Sequence, residues 1–293
     1  MRVMEGDKEI KSSLRARKYS YAIRNRVIYP GAIYHLIQRA PGEEIIFKEE
    51  ADYLHMLSLL KETATKFRWD VFSFVLMPNH VHFLIRILEE TLSPGAKFLF
   101  QSYALYFNEK YERKGPVFCR PFRAFLCLND AYLLTISIYI HLNPYKAKLV
   151  EDPFNYRWSS IRLFLPGRTG RSFIKSEILL KFLSAELKRA REIYRELLEA
   201  SLNLDFPDIN SSPNLMSQFH FDFLKLCQDF KEKVIPSGFG EKIQAFNLLK
   251  YKKGGNKEKK DIIKNLLHQG YNVRQLSQYF NCSRQQIYRL LNS

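Results

Sequence analysis

The alternation of apolar and polar positions divides the chain into short strands and amphipathic helices. Ala32 to Arg39 reads as a strand carrying Ile33, Tyr34, Leu36 and Ile37, closed by the break at Pro41 and Gly42. A helix is predicted from about Glu49 to Phe67, where Tyr53, Met56, Leu57, Leu60, Ala64 and Phe67 recur at helical spacing. Trp69 to Leu76 and His80 to Leu88 predict two strands joined by a turn at Met77, Pro78 and Asn79. From about Pro94 to Arg113, Phe98, Leu99, Tyr103, Phe107 and Tyr111 form an apolar helical stripe, ended by Gly115 and Pro116 ahead of a strand-like stretch from Val117 to Leu128. Asn129 or Asp130 can cap a further helix, which is expected to stop at Asn143 and Pro144 after Leu142. This order of strands and helices predicts an α+β domain: a ferredoxin-like antiparallel sheet of the split βαβ kind with helices on one face.

Beyond Trp158, Ser159 and Ser160 the pattern turns helical, at Glu177 to Phe182 and Ala185 to Ala200, and the Pro, Asp, Asn and Ser of Asn203 to Asn214 mark a linker. The chain is Lys-rich from about Glu241 to Lys260. Three short amphipathic segments follow, at Ile262 to Leu267, Val273 to Phe280 and Ser283 to Leu291, spaced as in a helix-turn-helix. Ser283 would cap the last of them and turn Arg284, Gln285, Gln286, Tyr288 and Arg289 outward, as a groove-reading helix requires. The expected organisation is therefore a basic arm over residues 1–30, the α+β domain over 31–165, a helical extension over 166–202, a linker and helix over 203–240, and a small all-α domain over 241–293.

Charge narrows the partners. The 46 Lys and Arg against 30 Asp and Glu give a net +16, and the first thirty residues alone carry Lys8, Lys11, Arg15, Arg17, Lys18, Arg24 and Arg26. A surplus of this size calls for a polyanion, nucleic acid before membrane. No apolar run approaches the ~20 residues of a bilayer span, and the N-terminus lacks an apolar signal core, so a cytoplasmic location without membrane partners is expected. Cys119, Cys127, Cys227 and Cys282 are too scattered for a disulfide framework or a structural zinc pair.

The candidate chemistry lies on the second hairpin strand. His80 and His82 flank Val81 in an otherwise apolar strand, so both imidazoles leave the same face, and paired histidines of this kind commonly hold a divalent metal. The nearly all-apolar helix that follows carries Tyr139 and, four residues on, Asn143, which share a face. Were that face to pack over the histidines, the site would combine two imidazoles, an amide oxygen and a phenol. A phenol with a pKa near ~10 attacks only an activated target, and a cation polarising a phosphate oxygen would activate it, leaving a covalent phosphotyrosine. Taken singly, Tyr139 reads first as a core tyrosine, Asn143 most simply as a helix stop, His141 as a surface or core histidine, and His35 as structural or DNA-facing rather than a ligand.

In combination these stretches resemble one family. Pro30 to Arg39, Leu76 to Ile85 with its Pro-Asn-His-Val-His core, Tyr103-x-x-Tyr106-Phe107-Asn108, Tyr139 to Val150, and Trp158-Ser159-Ser160 occur in the order found in the single-tyrosine HUH transposases, in particular the REP-associated tyrosine transposases. The resemblance spans roughly residues 28 to 200. It implies the HUH endonuclease fold and a nuclease and strand transferase acting on single-stranded DNA, with hairpin or palindromic ends as recognition elements. By position it implies His80 and His82 as metal ligands, Asn143 as a third, Mg²⁺ or Mn²⁺ as the metal, and Tyr139 as the nucleophile that takes the 5′ phosphate and frees a 3′ hydroxyl. Ala40 stands where the family usually has glycine, and Cys119-Arg120-Pro121-Phe122-Arg123 replaces a frequent Gln-x-Arg, departures that bear on the loop contacts to DNA; Arg120 and Arg123 are expected there as phosphate clamps, with Arg39 as a further DNA contact and Arg284, Gln285, Gln286 and Arg289 in the tail. The tail resembles the helix-turn-helix of replication initiators. A non-catalytic, domesticated binder of repetitive hairpin DNA is the alternative, and the sequence does not choose between monomer and homodimer.

Overall fold

The computed structural model describes residues 28–119, 121–127, 130–167, 172–206 and 214–229, and towards the C-terminus residues 260, 263, 264, 267, 273, 276, 277 and 282–292. The basic arm, Arg120 and most of the Lys-rich stretch lie outside them. The described residues divide into two units, one of those within 28–208 and 218–248 and the other of those within 209–217 and 249–293.

The larger unit is built on a four-stranded antiparallel sheet of β1 (Ile33–Arg39), β2 (Trp69–Met77), β3 (His80–Ile87) and β4 (Arg123–Leu126), in the order β2-β3-β1-β4. This is the order of the split βαβ fold, with helix α1 (Glu50–Lys66) between the first two strands and α2 (Leu92–Lys110) between the last two. Every residue of β2 except Asp70 is buried, which agrees with its apolar run. The hairpin turn is held by the strand-exit loop of β1: Ala40 N–H donates to the Asn79 carbonyl (2.8 Å) and Ile46 N–H to that of Pro78 (2.8 Å). One sheet face meets α2 through the stacked rings of Phe83 and Phe100, and α1 packs on α2.

Buried polar groups tie these layers together. The Asp52 carboxylate, in the first turn of α1, accepts from the backbone N–H groups of Lys48 and Glu49, the hydroxyls of Tyr106 and Tyr111, and the Lys110 ammonium on α2. Across the sheet, His141 is fully buried between the Tyr194 hydroxyl (2.7 Å) and Ser160 Oγ (2.8 Å), so it is a core histidine, kept neutral because burial pushes its pKa down to about 3.

Three expectations change. Helix α3 (Asp130–Lys146) contacts β2 and β3 and covers the sheet face opposite Phe83, so the helices lie on both faces rather than one. It also runs through Pro144 instead of stopping before it. A proline this close to the C-terminus forfeits only one intrahelical bond, Ala147 and Leu149 still donate to the Asn143 and Pro144 carbonyls, and the helix ends where Lys148 turns to φ 57°. The stretch 117–128 forms regular strand only over β4, since Pro121 has no N–H to give and residues before it meet β1 singly, as in Cys119 N–H to the Arg39 carbonyl.

After α3 come α4 (Ser176–Leu180), α5 (Leu187–Ala200) and α6 (Asn214–Asp229). No disulfide joins the four cysteines. Among the described residues no helix is long and apolar enough to cross a membrane. In the smaller unit, α7 (Arg284–Asn292) starts from a reciprocal cap in which Gln286 N–H donates to Ser283 Oγ (3.2 Å) and Ser283 N–H to Gln286 Oε1 (2.8 Å).

Candidate active site

Strand register places the candidate residues. Ile37 lies opposite His82 and Arg39 opposite His80 in the β1–β3 ladder, while Ile37 pairs with Arg123 and His35 with Phe125 across β4. Directly opposed residues share a face, so His35, Arg39, His80, His82 and Arg123 all leave the sheet on the side that α3 covers. The His80 and His82 rings are 5.0 Å apart, edge to face. Tyr139 arrives from α3 with its ring 5.8 Å from that of His82 and 6.0 Å from that of His35. The Tyr139 ring thus lies beside His82, one of the two imidazoles it was expected to approach.

Each histidine is held through Nδ1. His80 Nδ1 lies 2.6 Å from Asn79 Oδ1, and His82 Nδ1 lies 2.8 Å from His35 Nε2. Burial pushes the His35 pKa down to about 3 and that of His82 well below the ordinary range, with the neighbouring His80 and His35 adding to the second shift. Neutral imidazoles are what a metal requires of histidine ligands.

Tyr139 is only 3 % exposed. Its ring stacks on Phe206 (4.7 Å, 8° between planes) and meets the edge of Phe219 on α6 at 5.9 Å. The segment leading to Phe206 is anchored by Lys146, whose ammonium donates to the Leu202 and Leu204 carbonyls and lies 5.5 Å from the Phe206 ring centre. What the sequence marks as the start of a linker is therefore, up to Phe206, a packed cover on the tyrosine. Its apolar alternation, Leu202, Leu204 and Phe206, was the available signal.

Asn143 lies one turn beyond Tyr139 and folds back on its own helix, its amide nitrogen donating to the Tyr139 carbonyl at 2.8 Å. Among the described residues no three His, Cys, Asp or Glu side chains converge as a ligand set. The donor set is nonetheless suited to a cation: two imidazoles on one strand face, each engaged through Nδ1, with an amide nearby on α3 able to offer oxygen.

Of the expected DNA contacts, Arg39 borders the histidines and bonds the Gly42 carbonyl (3.2 Å), and Arg123 is exposed on the edge strand. Arg120 lies outside the described residues. On α7, Arg284, Gln285, Gln286, Tyr288 and Arg289 are exposed around the buried Ile287, as an outward-reading helix demands, although the Gln286 oxygen is engaged in the cap. Sequence reasoning gave Asn79 and Phe206 no role in the site and read His35 as structural or DNA-facing.

Comparison with known proteins adds to this geometry. Residues 29–143 match the family of IS200-like transposases, and residues 252–293 match the helix-turn-helix domain of resolvase, where a replication-initiator type was expected. A solved structure described as the REP-associated tyrosine transposase bound to a REP hairpin is similar at 14 % identity, covering 47 % of this chain and 82 % of that one, with a TM-score of 0.42. No curated protein matches the chain.

Proposed function

We propose that this chain, whose residues 29–143 match the IS200-like transposases, is a metal-dependent endonuclease and strand transferase for single-stranded DNA carrying hairpin ends. The observation that carries the reading is the approach of the Tyr139 ring to within 5.8 Å of His82 on the face that also bears His80. His80 and His82 would hold a Mg²⁺ or Mn²⁺ ion through Nε2, with Asn143 Oδ1 as a third ligand. Such an ion, when bound, polarises a phosphate oxygen and offsets the charge gathering at phosphorus. Tyr139 Oη attacks the scissile phosphorus, its proton passing to solvent. The bond from phosphorus to the 3′ oxygen breaks, that oxygen takes up a proton as a 3′ hydroxyl, and the 5′ phosphate stays on the tyrosine. Attack of another strand's 3′ hydroxyl on the phosphotyrosine reverses the step and joins new ends.

Arg39, Arg120 and Arg123 would clamp backbone phosphates beside the scissile bond, since cations at a strand edge position the substrate without reading sequence. Arg284, Gln285, Gln286 and Arg289 would read duplex DNA in the major groove. Action on cellular DNA places the work in the cytoplasm. The burial of Tyr139 beneath Phe206 favours a second reading, a binder that grips hairpins without cutting.

Covalent capture separates the two. Incubated with single-stranded hairpin DNA and Mn²⁺ or Mg²⁺, the wild-type chain is expected to form an adduct that survives denaturing electrophoresis, and Tyr139→Phe to form none. Adduct-free lanes for both proteins across a panel of hairpins would establish the binder.

A further inference from the structure

The two imidazoles of the site have hydrogen-bond partners that differ in what they can do. An amide oxygen only accepts, so the 2.6 Å contact with Asn79 Oδ1 puts a proton on His80 Nδ1 and leaves a lone pair on Nε2 of the neutral ring. His82 Nδ1 instead faces another imidazole nitrogen, His35 Nε2, at 2.8 Å. Two buried ring nitrogens this close have room for one proton between them, which either can carry. Carried by His82, it leaves that ring's Nε2 bare. Carried by His35, it forces an N–H onto His82 Nε2, and the ring cannot ligate.

We propose that Asn79 and His35 are positioning residues of the cation site, holding His80 and His82 in the Nδ1–H tautomer so that both Nε2 atoms present lone pairs to a divalent cation. The proposal rests on the reading of this site as metal-binding. Packing supports it. The His35 ring stacks on His82 (5.0 Å, 28° between planes) and is enclosed by Phe125 at 6.3 Å and Tyr139 at 6.0 Å, so it stays aligned with its partner. Asn79 is fixed by the bond from Ala40 N–H to its carbonyl. Cross-strand spacing explains why β1 supplies the second partner: His35 lies on the same face as His82, two positions along the ladder from Ile37, which opposes it. An acceptor behind a ligating imidazole sets its orientation and raises its basicity, and loss of such a partner typically weakens metal binding about 10- to 100-fold. A purely structural role for His35 would require only a ring of similar size.

Two measurements on the full chain test this. Long-range ¹H–¹⁵N correlation spectra of the metal-free wild type are expected to show His80 and His82 each protonated at Nδ1 and bare at Nε2. Calorimetric titration with Mn²⁺ is expected to show about 10- to 100-fold weaker binding for His35→Phe, which keeps a ring but no acceptor, and for Asn79→Ala. His35→Gln and Asn79→Asp, which restore an acceptor oxygen, should stay within a few-fold of wild type. Circular dichroism confirms that each variant is folded, and the wild-type spectrum needs no variant. Tight Mn²⁺ binding with His82 protonated at Nε2, or undiminished binding by folded His35→Phe and Asn79→Ala, would overturn the positioning role alone. Wild-type protein with no affinity for Mn²⁺ would overturn the metal reading of the site and this proposal with it.

Discussion

Replacing Asp52 with alanine removes the acceptor on which the start of α1 and the end of α2 converge, and the structure sets the expected loss. The carboxylate side chain is 0 % exposed, while its ammonium partner Lys110 is 25 % exposed and keeps a second carboxylate, Glu49, at 2.6 Å. Removing one member of a buried ion pair costs about 3–5 kcal/mol, and the surviving Lys110–Glu49 pair puts this case near the lower end, about 3 kcal/mol. That loss includes the two backbone N–H groups of Lys48 and Glu49, which lose their cap. For a domain of this size it corresponds to about 6–12 °C in Tm. Asp52→Asn keeps one acceptor oxygen and should lose about half as much. Burial alone opposes ionisation of Asp52, but the hydrogen bonds from Lys110, Tyr111 and the Lys48 and Glu49 backbone outweigh it and hold the carboxyl below its ordinary value. A depressed folded pKa stabilises the protein fully above the unfolded carboxylate range and fades as pH falls through the folded value. The melting gap between wild type and Asp52→Asn should therefore be widest at neutral pH and close in acid below the ordinary carboxylate range. Scanning fluorimetry from pH 7 downwards measures it, and an Asp52→Ala protein melting within about 2 °C of wild type at pH 7 would refute the reasoning.

Phe206→Ala removes the ring stacked on Tyr139; an aromatic pair contributes about 0.5–1.5 kcal/mol, so if the stack must open before DNA reaches the phenol, single-turnover adduct formation should quicken about 2- to 10-fold, and an unchanged or slower rate would contradict this. Deleting the residues before Pro30 should weaken binding to all single-stranded DNA alike and flatten the plot of log K against log salt by ~0.7 for each phosphate the arm had neutralised, whereas weakening confined to one hairpin would show that the arm reads sequence. Arg284→Ala and Arg289→Ala on the exposed face of α7 should each lower affinity for a preferred duplex by about 1–3 kcal/mol in gel-shift titrations, and an equal effect on every duplex would mark them as binding phosphate only.

Much of the site was legible because a strand alternates faces with a period of two. His80 and His82 had to emerge together whatever else the chain did, and a hairpin ending at Asn79 fixed which strand neighboured them. The apolar character of the helix bearing Tyr139 showed that it would be buried, but which sheet face it covered is a property of the crossover and not of any local pattern. Pro144 was misleading because a proline's cost depends on its distance from the helix end, which the flanking residues do not announce. The contacts that His35 and Phe206 make in the site were not legible, for a common reason. Their partners, His82 and Tyr139, are brought to them by long-range pairing, and a single imidazole or phenyl ring in a sequence carries no record of what it will stack upon.

The central claim is that the Tyr139 phenol, and no other group, attacks DNA phosphorus. Mass spectrometry of the proteolysed adduct tests it most directly: the account predicts a nucleotide 5′-phosphate esterified to Oη of the peptide containing Tyr139, together with a released fragment ending in a 3′ hydroxyl. A nucleotide mapped to any other residue, or cleavage leaving a 3′ phosphate and an unmodified Tyr139 peptide, would contradict it.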